Sequence, residues 1–261
     1  MITFETKIRE QTVRIYSEMP LKNAVGAIFR TLADISQKTT IFTNNFVLCF
    51  GWSYFFMNER QDENGEKFWV LQAGDYQKIP NRDRVDDATT ALVVQNMQVE
   101  GIQVAKCKPE ATTCMDTILV LKAAMNADEV YMSRSDAAKN GDSGWYFGLL
   151  NDPDEDKHTS DEYERIPSYQ LMGFRTEALR VLQMPVGTVA VFNKNEMTAL
   201  IDGNDQPMKF TTEEERKVLA EKQRAEFNAQ IQEAHTRAQA VQAAAEAAKK
   251  AAAAENTEKK D

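Results

Sequence analysis

The sequence predicts an α+β protein in which a small mixed α/β-sheet unit is duplicated between an N-terminal amphipathic helix and a long C-terminal helix. Three observations lead there. Short runs of aromatic and β-branched residues are interspersed with helical spacing, the order of those runs returns about 75 to 87 residues later, and the composition changes abruptly after Pro207. The expected division is residues 1–40 for a strand and helix, 41–114 for the first unit, 115–206 for the second and 207–261 for the helical extension.

After a short strand near Thr12 to Tyr16, residues Leu21, Ala24, Val25, Ile28, Leu32 and Ile35 recur at three- and four-residue steps, which places them on one helix face. Ser17 is placed to cap that helix, and Pro20 fits its first turn. From Ile41 the runs Phe46 to Phe50, Ser53 to Met57 and Lys67 to Gln72 read as strands. Asp62, Glu63, Asn64 and Gly65 supply turn chemistry that makes the last two a hairpin. Asp87 to Gln95 reads as helix and Ile102 to Ala105 as strand.

The same order begins again at Thr117, with strands at Ile118 to Leu121, Glu129 to Met132 and Trp145 to Leu149, and a turn at Lys139 to Asp142. Met57 aligns with Met132 and, after two extra residues in the second turn, Phe68 with Trp145 and Asp75 with Asp152. Beyond an insertion, Ile79 and Pro80 match Ile166 and Pro167, Ala91 and Leu92 match Ala178 and Leu179, and Gly101 matches Gly187. A pair of copies implies two domains or one pseudo-twofold domain rather than a solenoid, which needs at least three repeats.

From Glu213 to Ala254 there is no Gly or Pro, and Ala, Glu, Lys and Gln dominate, so one long helix is expected, capped by Thr211 or Thr212 with a Glu three residues on. Phe227, Ile231, Ala234, Ala238, Val241, Ala245 and Ala248 trace a coiled-coil seam along it. Alanine buries little area, so self-association through this seam is expected to be weak.

The formal net charge is −9, and the segment from Thr211 to Asp261, with 9 basic and 10 acidic residues, carries only −1 of it. Residues 1–210 therefore hold −8. That sign opposes nucleic acid and anionic membranes as partners and favours a basic protein. The N-terminus has charges at Glu5, Lys7 and Arg9 in place of the apolar core of a signal peptide, and runs such as Phe46 to Trp52 are far too short to span a bilayer. A soluble cytoplasmic protein is expected.

Nothing in the sequence points to catalysis, a metal or a cofactor. The two histidines, His158 and His235, read as solvated surface residues. Cys49, Cys107 and Cys114 form no CxxC pair and read as small, partly buried side chains, with a Cys107–Cys114 bridge as the alternative. Phosphate-binding glycine loops and the GxSxG nucleophile turn are absent. Asp152, Asp154 and Asp156 have the alternating spacing of a calcium loop, but Lys157 replaces its glycine and Tyr163 its final glutamate.

The acidic insertion offers two further readings, a solubilising loop or a docking surface for a cationic partner through Asp152, Asp154, Glu155, Asp156, Asp161 and Glu162. Beside it, Trp145 and Phe147 should face one side of their strand and Tyr146 the other. Gly144 reads as a backbone requirement where the turn meets that strand.

Val130, Tyr131 and Met132, then Asp142, Ser143, Gly144, Trp145, Tyr146 and Phe147, an acidic run, and finally Pro185, Val186 and Gly187 together resemble predicted immunity-protein family thirty-three of bacterial polymorphic toxin systems. In the first copy Glu66, Lys67, Phe68 and Trp69 stand where Asp142 to Trp145 would be, so the resemblance is confined to the second. It implies an α+β domain of about one hundred residues and a non-enzymatic protein that binds and neutralises a cognate toxin. Asp142, Ser143, Gly144, Trp145 and Phe147 would then be a structural motif and the acidic insertion the contact surface. The competing readings are an adaptor or secretion chaperone that assembles through its C-terminal helix, and a hydrolase using Asp142 and Asp152.

Overall fold

The computed structural model describes residues 1–44, 46–137, 141–219, 221–222 and 225. The chain divides into two compact units, Met1–Phe210 and Thr211–Asp261. In the first unit, strands β1 (Ile2–Ile8), β2 (Gln11–Ser17), β3 (Val47–Phe50), β4 (Ser53–Gln61), β5 (Lys67–Gly74) and β6 (Arg84–Val85) form one sheet, ordered β1-β2-β5-β4-β3 with β6 on β5. Strands β7 (Thr117–Leu121), β8 (Glu129–Arg134), β9 (Asp142–Leu149), β10 (Tyr163–Pro167), β11 (Val189–Asn193) and β12 (Glu196–Ile201) form the other, ordered β10-β7-β9-β8-β11-β12. Helix α1 (Lys22–Ser36) packs on the first sheet, and helix α2 (Thr89–Ala105) leads toward the second.

Three strands in each sheet are arranged alike. β2 runs parallel to β5 while β4 lies antiparallel to it, and β7 and β8 stand in the same relation to β9. Strand register corrects the expected match of Phe68 with Trp145, and with it that of Asp75 with Asp152, by one residue. Laying Met57 on Met132 puts Glu59 on Arg134; Glu59 pairs with Trp69, and Arg134 with Trp145. Tryptophan therefore meets tryptophan, and Phe68 is displaced by one residue onto the opposite sheet face. The inner faces then correspond closely, with Val13, Ile15, Phe55, Met57, Trp69 and Leu71 in one core and Ile118, Val120, Val130, Met132, Trp145 and Phe147 in the other.

Four local expectations change. The expected strand at Ile102 to Ala105 is the last turn of α2, which continues unbroken from Thr89. Gly101 permits this packing, because a Cβ there would lie 3.2 Å from the carbonyl oxygen of Arg180. Gly101 is helical while Gly187 has φ +88°, so those two glycines serve different backbones. Ser17 does not cap α1, whose N-cap is Leu21 with Pro20 one residue outside the helix. Its hydroxyl instead lies 3.2 Å from Thr89 Oγ1, tying the end of β2 to the start of α2.

Helix α2 connects the two cores. Ala91 and Leu92 belong to the first and Val94 to the second, while Gln98 donates a 3.0 Å hydrogen bond to the Leu179 carbonyl. Trp52, in the turn just before β4, is fully buried in the second core and donates to Ser168 Oγ at 2.8 Å.

In the second unit residues 213–219 are helical. Of the two expected caps Thr212 is the one used: its N–H donates to Glu215 Oε2 at 2.9 Å, and its hydroxyl accepts from the Glu215 N–H at 3.3 Å. The expected continuation to Ala254 is described only at 221–222 and 225. The seam from Phe227 to Ala248, His235, and the turn residues Lys139 and Asn140 lie outside the described residues.

Candidate functional site

The site is built on β9, whose first residues stitch three strands together. Asp142 accepts the Gly144 N–H at 3.1 Å and pairs with Arg165 of β10 at 2.9 Å. Ser143 donates to the Thr117 carbonyl at 2.8 Å and accepts the Trp145 N–H at 3.2 Å. Gly144 has φ +75° and lies against Ser135, whose carbonyl oxygen would be 2.0 Å from any Cβ, so glycine is required where the β7–β9 register shifts. Trp145 is fully buried and donates from Nε1 to the Leu182 carbonyl at 3.0 Å. Asp142, Ser143, Gly144, Trp145 and Phe147 thus act on the strand itself.

Arg134 is a residue that sequence reasoning did not single out. It shares the inward face of β8 with Met132, is 7% exposed, and spreads its guanidinium among the carbonyls of Glu110, Leu182, Met184 and Ser143 and the hydroxyl of Thr112. Its five N–H donors suit such a fork. Burial pulls its pKa down, while Glu110 and Asp116 oppose that. The inward alternation Val130, Met132, Arg134 is the signal that would have revealed it.

On the opposite face of this sheet Tyr131, Tyr146 and Tyr163 are half-buried. The Tyr131 and Tyr146 rings meet edge-on with centroids 5.7 Å apart, and Tyr163 lies 6.3 Å beyond Tyr146. Gly148 leaves room for Tyr146, whose hydroxyl would stand 2.5 Å from a Cβ at that position. Desolvation, followed by the Glu155 carboxylate, pushes the Tyr131 hydroxyl up to about 12; desolvation also raises that of Tyr146.

The acidic insertion folds beside these tyrosines and is held by its own hydrogen bonds. His158 is the organiser, with Nε2 2.7 Å from Asp152 and Nδ1 3.1 Å from Glu162. Its side chain is only 12% exposed, which corrects the expectation of a solvated surface histidine. The hydrogen bond to Asp152, reinforced by Glu162, raises the His158 pKa. His158 in turn lowers that of Asp152, while the Thr159 N–H first and His158 second lower that of Glu162. Thr159 and Glu162 cap each other, and Thr159 also donates to Asp161. Glu155 accepts from the Tyr131 hydroxyl at 3.3 Å, and its carboxylate, with those of Asp154 and Asp156, is left on the exposed side of the loop.

The aspartates with calcium-like spacing have separate partners, since Asp152 binds His158 and Asp154 binds Lys157. Among the described residues no group of three or more His, Cys, Asp or Glu side chains is arranged to hold a metal ion. Asp142 opens β9, which at about 3.3 Å per residue is roughly 23 Å long, and Asp152 lies three residues beyond its far end. They do not form a paired-carboxylate site. Cys49, Cys107 and Cys114 are all free thiols, and Cys107 lies 3.4 Å from the Met184 sulfur rather than bridged to Cys114. Among the described residues no helix is long and apolar enough to cross a membrane.

The second sheet and its loop define an α+β module with a half-buried tyrosine row beside clustered carboxylates. Residues 97–202, from the middle of α2 to the end of β12, match the family model of the Imm33-like domain. The matched stretch contains the whole second sheet, the Asp142 to Trp145 motif and the acidic insertion. No curated protein and no solved structure matched the chain.

Proposed function

We propose that this chain is a non-enzymatic immunity protein that binds and neutralises a cognate bacterial toxin, with the acidic insertion of the second sheet as its docking surface. The observation that carries this reading is the coincidence of the Imm33-like match with the sheet that bears the insertion. Residues 152–164 contain seven Asp or Glu and one Lys. Asp152 and Glu162, through His158, fix the loop, leaving the exposed Glu155 and Asp156, with Asp154 beside them in an exposed ion pair with Lys157, to meet the partner, and Asp161 stands beside the Thr159 cap. Carboxylates held by a preformed loop lose little freedom on binding, and they steer a cationic partner at long range. The toxin that fits is therefore basic on the surface it presents.

The two sheets are read as copies of one unit, the first (41–114 with the strands of 1–40) completing the scaffold and the second (115–206) binding. The extension 207–261 is not required for neutralisation in this reading.

The test is rescue of growth by co-expression with the product of a neighbouring toxin gene. The intact chain and the chain ending at Phe210 should both restore growth. Asp154→Lys, Glu155→Lys and Asp156→Lys combined should lower toxin affinity by about tenfold or more at low salt. Unchanged affinity in that triple variant would remove the loop as the interface, and failure of the intact chain to rescue would remove the immunity reading.

A further inference from the structure

The outer faces of the two sheets both carry aromatic residues, with Phe56 and Tyr131 in matching register, but only in the first do arginines of the chain stack on the rings. With Met57 on Met132 and Trp69 on Trp145, Phe56 corresponds to Tyr131, Val70 to Tyr146 and Gln72 to Gly148. In the first sheet the Arg84 guanidinium lies 4.4 Å over Phe56 and that of Arg14 lies 4.0 Å over Phe68. Arg60 on the same face is clamped by both oxygens of Asp86, at 2.6 and 2.8 Å. Covered in this way, Phe56 is 2% and Phe68 8% exposed.

In the second sheet the ring equivalent to Phe56 is Tyr131, while Gly144 stands in the place of Phe68; among the described residues of 1–210 no arginine or lysine stacks on Tyr131, Tyr146 or Tyr163, and His158 meets Tyr163 edge-on with centroids 6.1 Å apart. The cations nearby are already engaged: Arg165 by Asp142, Lys157 by Asp154, and Lys122 by the Asp161 carbonyl. Carboxylates instead border the row, with Glu155 on the Tyr131 hydroxyl and Glu129 two residues before it on the same face of β8. An aromatic face with carboxylates beside it is the complement of a guanidinium, which stacks flat on the ring while its edge donates to oxygen.

We infer that the tyrosine row of the second sheet receives an arginine side chain from a partner protein, stacked on Tyr131 as Arg84 stacks on Phe56 and hydrogen-bonded at its edge to Glu155. This rests on the proposed binding role and deepens it, since it distinguishes a recognition element from general attraction between opposite charges. Lysine, a compact ammonium without a planar face, satisfies the carboxylates but not the ring. Arginine is thus selected over lysine at this position.

The experiment compares the binding of a nona-arginine and a nona-lysine peptide to the full chain at low salt, with chemical-shift mapping of the complex. The arginine peptide should bind about fivefold more tightly or better, with shifts centred on Tyr131, Tyr146 and Glu155. Tyr131→Ala should abolish that preference while keeping the shared charge-driven affinity, and Tyr131→Phe should retain it. Glu155→Gln should weaken both peptides, since both side chains use the carboxylate. Equal binding of the two peptides, a preference that survives Tyr131→Ala, or shifts centred on another surface would overturn the inference. The two proposals fail separately: lost arginine preference with intact toxin neutralisation removes this one alone, and retained preference without neutralisation removes the immunity role alone.

Discussion

The two sheets share a three-strand arrangement and inner faces that are apolar at corresponding positions, yet differ sharply at the inward position of Glu59 and Arg134 and on their outer faces. At the inward position Glu59 of β4 is a half-exposed partner of Lys67, whereas Arg134 of β8 is buried among backbone carbonyls. On the outer face the first sheet is closed by Arg84 and Arg14, while the second is bordered by carboxylates. One scaffold thus supports a face covered by its own arginines in one case and a face bordered by carboxylates in the other. The difference lies in the side chains and not in the strand order.

The inward difference should give the largest effect. Arg134→Ala leaves several buried carbonyls without a donor and opens a cavity under Trp145, so it should cost about 3–5 kcal/mol in urea unfolding. Glu59→Ala removes one partly screened ion pair and should cost less than about 1 kcal/mol. Similar costs for the two variants would break the contrast.

The outer faces should differ in kind. Arg84→Ala uncovers Phe56 and should destabilise the chain by about 1 kcal/mol, with no effect on partner affinity. Tyr131→Ala should act the other way, lowering partner affinity more than stability. Calorimetric melting of both variants beside titration with the partner checks this crossover.

The smallest effect concerns pH and the insertion. His158 has its pKa raised above the ordinary 6.5, so its contribution is complete below 6.5 and fades as pH rises through the raised value. Asp152 and Glu162 have theirs lowered from 3.8 and 4.5, so their contributions are present above those values and fade as pH falls through the lowered ones. The loop should be tightest between about pH 4.5 and 6.5. Titration of the His158 ring proton by NMR should give a midpoint above 6.5; a midpoint at or below it would mean that the two carboxylates do not hold the ring.

Much of this was legible in the sequence because strand alternation and turn chemistry are local. The hairpins β4–β5 and β8–β9 and the helical face from Ala24 to Leu32 follow from spacing alone. The β1–β2 hairpin did not, since its turn residues Arg9 and Glu10 both have positive φ without the glycine or asparagine that signals such a turn. The end of α2 was misread because a β-branched run after Gly101 looks like a strand until its packing on Arg180 is known. His158 was misread because its partners lie six residues before and four after it in irregular chain. The tyrosine row stayed hidden because it depends on register among β8, β9 and β10, which no single strand encodes.

The most direct test of the account is hydrogen–deuterium exchange of the chain with and without the proposed toxin partner. Protection confined to residues 129–134, 142–149 and 152–164, with the outer face of the first sheet unchanged, is the predicted result. Protection centred on β4, β5 and β6, with the insertion exchanging as in the free chain, would contradict it.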